Sequence, residues 1–241
     1  MKKGNIIWNS TDYGSLGVYV SGKEVHDAAE PDVTVYQIAG RNGDFVVSNN
    51  RWKNIKISYP AFIPNSLANL QTIRNALKRY GFYSRLDDTY DTTHYRIARP
   101  VGELRFEPFR QDAVNFEITF DCYPQRFLTI GTTEVTLGSS TVVTNPTDFD
   151  AKPYIRLTNI AASAEIDFNG DFVMTATTSY SDTVVIDCEN QNIFDEATLE
   201  NKNNLFEVSD GFPVLWGADT NTITITGTIG SASLEPRWWE L

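Results

Sequence analysis

The chain ends in Glu235-Pro236-Arg237-Trp238-Trp239-Glu240-Leu241, with two large rings side by side at its last residues. Each indole carries a large apolar area and one N–H that needs a partner, so such a pair reads as docked rather than left in water. A terminal strand closing a β-domain is the plain expectation. Alternation along that strand turns at least one of Trp238 and Trp239 inward. Upstream, Phe212-Pro213-Val214-Leu215-Trp216-Gly217 and Ile223-Thr224-Ile225-Thr226-Gly227 continue the same β-rich, turn-punctuated pattern.

Outward from this terminus the second half reads as strands throughout. Short alternating runs fall near 132–137, 141–144, 153–158, 164–168, 172–177, 183–188, 205–208, 222–226 and 229–234, separated by turn residues. Regular short spacing of this kind predicts an all-β sandwich or barrel. Phe168-Asn169-Gly170-Asp171-Phe172 is the clearest hairpin signal, because Asn-Gly accepts the positive φ of a tight turn.

The first half differs. Val33 to Ile38 alternates, Ala39-Gly40-Arg41-Asn42-Gly43-Asp44 supplies turn chemistry, and Phe45-Val46-Val47 follows, with Trp52 to Tyr59 alternating again. Leu67, Leu70, Ile73, Leu77 and Tyr80 recur at spacings of three and four, which predicts one helix over 65–80. Asn65 or Ser66 is its expected cap and Gly81 its left-handed stop. Phe82–Leu86 and His94–Ala98 flank a polar loop as a hairpin, and Leu104–Phe109 and Val114–Cys122 form another pair. Pro124 is expected to end this domain, because it cannot donate to a continuing central strand. The fold expected is an α+β N-terminal domain over 1–130, β-rich with one main helix, followed by an all-β sandwich over 131–241.

Charge divides at the same place. The net charge is −11, made of +2 over residues 1–130 and −13 over 131–241. The acidic half should repel its own copies, so self-association is expected of the first half. An acidic chain lacks the basic stripe of sequence-specific nucleic-acid binding. No run approaches the ~18 apolar residues of a membrane span, and Gly4-Asn5 and Asn9–Asp12 interrupt any leader-like apolar segment. Cys122 is in register with Val114, Phe116, Ile118 and Phe120, and Cys188 with Val184 and Ile186, so both thiols are expected on core faces, reduced, as suits a cytoplasm.

Chemistry-bearing motifs are missing from the sequence. His26 and His94 have no ligand partner at metal spacing, and Asp167-x-Asn169-x-Asp171 has Phe172 where a calcium loop needs Gly. There is no nucleophile elbow and no phosphate-binding glycine loop. The expectation is no enzyme, no metal and no cofactor. Arg74, Arg79, Arg85, Arg96, Arg99, Arg105, Arg110 and Arg126 crowd the first half and are expected to be mostly solvated.

Several segments, taken in order, resemble the distal tail proteins of long-tailed phages, the hub family of the tail tip. They are Leu16-Gly17-Val18, Gly40-Arg41-Asn42-Gly43-Asp44, Trp52 to Tyr59, the 65–80 helix, Leu86-Asp87 with Tyr95-Arg96-Ile97-Ala98, Phe120-Asp121-Cys122-Tyr123-Pro124, and the Pro236-Arg237-Trp238-Trp239 ending. The resemblance implies a galectin-like second domain and a ring, commonly a homohexamer, built by the first domain. It implies a place in the virion tail tip, after synthesis in the bacterial host cytoplasm. The implied partners are the tail tube protein, a tail-tip or tail-associated lysin protein, and a receptor-binding protein. Gly40, Arg41, Gly43, Asp44, Trp52, Arg237, Trp238 and Trp239 are the interface or structural residues it singles out. A rival reading is a carbohydrate-binding adhesin that stacks cell-wall sugars on Trp216, Trp238, Trp239, Tyr154 or Tyr180. A remoter rival is a hydrolase with a carboxylate pair.

Overall fold

Alternating apolar residues demand a second layer, and the structure supplies one for most of the predicted strands. The computed structural model describes residues 4–21, 28–64, 69–79, 81–109 and 113–241. The chain divides into two compact units, Met1–Arg126 with Leu241, and Phe127–Glu240.

The first unit is built on one antiparallel sheet. Its order is Thr11–Asp12, Ile6–Trp8, Ser84–Asp88, His94–Val101, Ala113–Leu128, Ile55–Pro64, Tyr19–Val20, and Glu107–Phe109 pairs with the start of the long strand. Period 2 puts Ile57, Tyr59, Ala61 and Ile63 on one face beside Phe116, Ile118, Phe120 and Cys122, and all eight are buried. Helix Leu70–Lys78 adds Ile73 and Leu77 to that core. Trp8 is buried there too, its Nε1–H donating to the Ala98 carbonyl at 2.8 Å. The α+β class expected of this half is what the structure has.

Three local expectations need correction or fall outside the described residues. Asn65, Ser66, Leu67 and Tyr80 lie outside them. Asn69 stands at the helix start but makes no side-chain cap; its amide donates to the Leu16 carbonyl at 3.0 Å instead. Gly81 does not take the left-handed conformation of a helix stop. Pro124 does not end its strand either. Ala113–Leu128 runs through it, because pairing with Ile55–Pro64 stops at Cys122↔Ile55, two residues before the missing N–H would matter there.

The second unit is all-β and sandwich-like. One five-stranded antiparallel sheet has the order Val135–Thr136, Ile229–Glu235, Tyr154–Ile160, Tyr180–Asp187, Asn192–Asp195. The other has Ser140–Thr144, Thr220–Thr226, Glu165–Phe168, Phe172–Ala176, Phe206–Val208. Ile155, Leu157, Val184, Ile186 and Leu234 from the first sheet share one buried cluster with Ile166, Phe168, Met174 and Ile223 from the second. Phe168 pairs with Phe172, and Asn169 and Gly170 both have positive φ, as the Asn-Gly signal predicts.

Candidate assembly interface

Among the described residues, strands Pro31–Tyr36 and Phe45–Trp52 pair only with each other. Their register places Val35 opposite Val46 on one face and Tyr36 opposite Phe45 on the other, where the two rings lie 6.5 Å apart. The residues between the strands include Gly40 and Gly43, with φ of 78° and 84°, a region that L side chains enter only with strain. Arg41 N–H donates to the Ile38 carbonyl at 3.1 Å and tightens the turn. Ion pairs Arg51–Asp32 at 2.6 Å and Lys53–Glu30 at 3.2 Å brace the open end.

Among the described residues nothing covers either face of this hairpin. Every residue from 34 to 51 is exposed, and Val35, Tyr36, Ile38, Phe45, Val46 and Val47 are each 39–54% exposed. An isolated two-stranded ribbon is at best marginally stable in water, and its free edges offer unpaired N–H and C=O groups. Apolar area on both faces of such a ribbon marks a contact surface rather than a core.

The residues singled out in the sequence fall in both units. Gly40, Arg41, Gly43 and Asp44 form the exposed tip of the hairpin, and Arg41 and Asp44 make no side-chain hydrogen bond or ion pair among the described residues. Trp52 is half-buried at the hairpin base, opposite Pro31. Arg237, Trp238 and Trp239 belong to the second unit. Trp238 is 5% exposed in its core, and its carbonyl accepts from Leu128 N–H at 2.8 Å. Trp239 is half-buried, stacked on Phe149 at 4.5 Å, and its Nε1–H donates to the Asp150 carbonyl at 2.8 Å. Arg237, with φ of 62°, sends its guanidinium to Asp187 at 3.1 Å. The terminus is therefore a packing device, as its two rings require. The sequence shows the runs at 35–38 and 45–47 as strands across a glycine-rich turn, but not their exposure, because the next strand, Ile55–Pro64, pairs in the other sheet.

The other rings are engaged within the second unit. Tyr154 lies under the Arg156 guanidinium at 4.9 Å, and Tyr180 donates to Asp195 at 2.7 Å. Trp216 donates to Asp171 at 3.1 Å and meets Phe172 at 5.7 Å. Cys122 and Cys188 are free and buried, and burial pushes the Cys122 thiol up to about 12. Among the described residues no group of three or more His, Cys, Asp and Glu side chains converges as a metal site. No described helix is long and apolar enough to cross a membrane. The arginines are mostly paired rather than free: Arg85 with Asp87 at 2.7 Å, Arg99 with Asp121 at 3.2 Å, Arg105 with Glu107 at 3.2 Å and Arg126 with Asp91 at 2.7 Å. His26 and Arg110 lie outside the described residues.

No protein-family model and no curated protein matches this chain. Among solved structures, the Dit protein of phage SPP1 superimposes with a TM-score of 0.70 over 100% of both chains, at 12% sequence identity. The fold is shared. That protein is described as a paradigm of the hub adsorption apparatus in phages that infect Gram-positive bacteria.

Proposed function

We propose that this protein is a distal tail protein, a structural hub of a phage tail tip. Its first unit closes into a ring, a homohexamer, that joins the tail tube protein to the tail-tip or lysin protein and to a receptor-binding protein. The observation that carries the reading is the two-stranded hairpin, apolar and uncovered on both faces, which neighbouring copies would cover. Likeness of fold to a phage adsorption hub supports it. So does the division of charge, with a near-neutral half able to assemble and an acidic half that repels its like.

Charging one face of the hairpin tests this. Val35→Glu/Val46→Glu places two carboxylates directly across the pair, where like charges repel and both would be desolvated in a contact. Light scattering and electron microscopy of the full chain should show rings for the unaltered protein and monomers for the variant, with unchanged thermal midpoints. Rings that survive the double charge would refute the hairpin as the assembly surface.

A further inference from the structure

The sequence holds two Asn-Gly pairs, Asn42-Gly43 and Asn169-Gly170, and the fold treats them in opposite ways. Such a pair is chemically special because the asparagine side-chain carbonyl lies within reach of the next backbone nitrogen. Glycine at that next position has no Cβ to crowd the approach and turns freely in φ.

Asn169-Gly170 is locked. The Asn169 amide donates to Asn221 Oδ1 at 2.9 Å, and its Oδ1 accepts from Thr222 N–H at 2.7 Å. Gly170 N–H, on the nitrogen that would have to attack, donates to Asp167 Oδ1 at 2.8 Å. Asn221 is itself buried, so the clamp on Asn169 is anchored below the surface.

Asn42-Gly43 has none of these restraints. Both residues are exposed at the tip of the hairpin. Among the described residues neither the Asn42 side chain nor the Gly43 N–H has a hydrogen-bond partner. The space at the Gly43 Cβ position is open. A two-stranded ribbon is marginally stable, so its tip rearranges at little cost.

We propose that Asn42-Gly43 is a site of spontaneous deamidation. The Gly43 backbone nitrogen gives its proton to hydroxide and attacks Asn42 Cγ. The new C–N bond closes a succinimide ring, and the side-chain nitrogen, protonated by water, leaves as ammonia. Water then opens either ring carbonyl and leaves an aspartyl or isoaspartyl residue at position 42. The net change is one water consumed and one ammonia released, with no oxidant or reductant. The product adds a carboxylate beside Asp44, and the isoaspartyl form also adds a methylene to the backbone between the paired strands, where register is set.

Peptide mapping by mass spectrometry follows both pairs in the full chain, folded, in mildly alkaline buffer. Position 42 should deamidate on the order of tenfold or more faster than position 169, because three ordinary hydrogen bonds must break before Asn169 reacts. In chain unfolded by guanidinium the two rates should converge. Asn42→Gln should remove the fast reaction, since the larger glutaminyl ring closes far more slowly. The unaltered chain and Val35→Glu/Val46→Glu are followed side by side, because the ring proposed above would cover the tip in the former only. Deamidation of the free chain does not depend on that ring. Fast loss of Asn42 in either folded protein supports the site, and loss in the variant alone also reports a tip covered by assembly. A rate at position 42 no faster than at 169 in both folded proteins overturns the proposal.

Discussion

Replacing Trp238 by alanine tests whether the C-terminal pair closes the second unit. The ring is 5% exposed and sits in the cluster that includes Ile155, Leu157, Ile186 and Leu234. A buried Trp contributes roughly 150–250 Å² of contact. Truncation of such a ring typically costs ~3–5 kcal/mol, transfer and cavity terms together. For a unit of this size each kcal/mol moves the midpoint by about 4 °C, so the expected loss is roughly 12–20 °C. That is a large part of a typical domain stability of ~5–15 kcal/mol.

Trp239 supplies the internal control. It is half-buried and contributes one stack on Phe149 and one hydrogen bond to Asp150, together about 1–2 kcal/mol. Trp239→Ala should therefore lower the midpoint by only about 4–8 °C. Thermal unfolding followed by near-ultraviolet circular dichroism reads both variants, and deletion of residues 236–241 should leave the second unit unfolded. Equal shifts for the two alanine variants would refute the reasoning, because the argument rests on their unequal burial. A drop below 3 °C for Trp238→Ala would refute it outright.

Two further outcomes follow from local geometry. Gly43 has φ of 84° with open space around its Cβ position, so Gly43→Val costs ~1 kcal/mol or more in backbone strain alone. Because the hairpin pairs with no other strand, hydrogen exchange of its amides should rise several-fold while the global midpoint holds; unchanged exchange would show that the turn does not order the hairpin. For Asp91, burial pushes the carboxyl up, but hydrogen bonds from Arg126, Thr93 and His94 outweigh it and hold the group well below the usual carboxylate range. Its stabilisation is thus complete above an unfolded-state value of about 3.9 and is lost as pH falls from there. Asp91→Asn should flatten the acid limb of stability below about pH 4 in urea titrations, at a cost of ~1–2 kcal/mol at neutral pH; an unaltered acid limb would contradict the assignment.

Most of this fold was legible because period 2 survives in strands that have a core to face. Val114, Phe116, Ile118, Phe120 and Cys122 are buried together, as their register predicts, and so are Val184, Ile186 and Cys188. The helix showed through Leu70, Ile73 and Leu77 for the same reason at period 3.6. What failed were statements that depend on neighbours rather than pattern. Strand Asn192–Asp195 carries one fully buried aliphatic, Ile193, and is too short to register as alternating. Pro124 was read as a breaker because sequence does not show where a partner strand stops. Arg96 reads as solvated in any sequence; only the sheet, which turns its side chain inward next to Tyr59 and Asp88, makes it a buried cation.

The two apolar stretches that stand out in this chain meet opposite fates, and composition alone does not separate them. Trp238 and Trp239 are the larger rings, yet they are absorbed, because the five-stranded sheet ending at Glu235 has a second sheet to pack against. Val35, Val46, Tyr36 and Phe45 are ordinary strand residues, yet they stay exposed, because two strands have two faces and among the described residues neither has a second layer. The deciding variable is the number of strands available to pair. Among the described residues this alternating apolar hairpin has no third strand and no facing layer, and that absence, rather than aromatic content, is why the proposed assembly is assigned to residues 31–52.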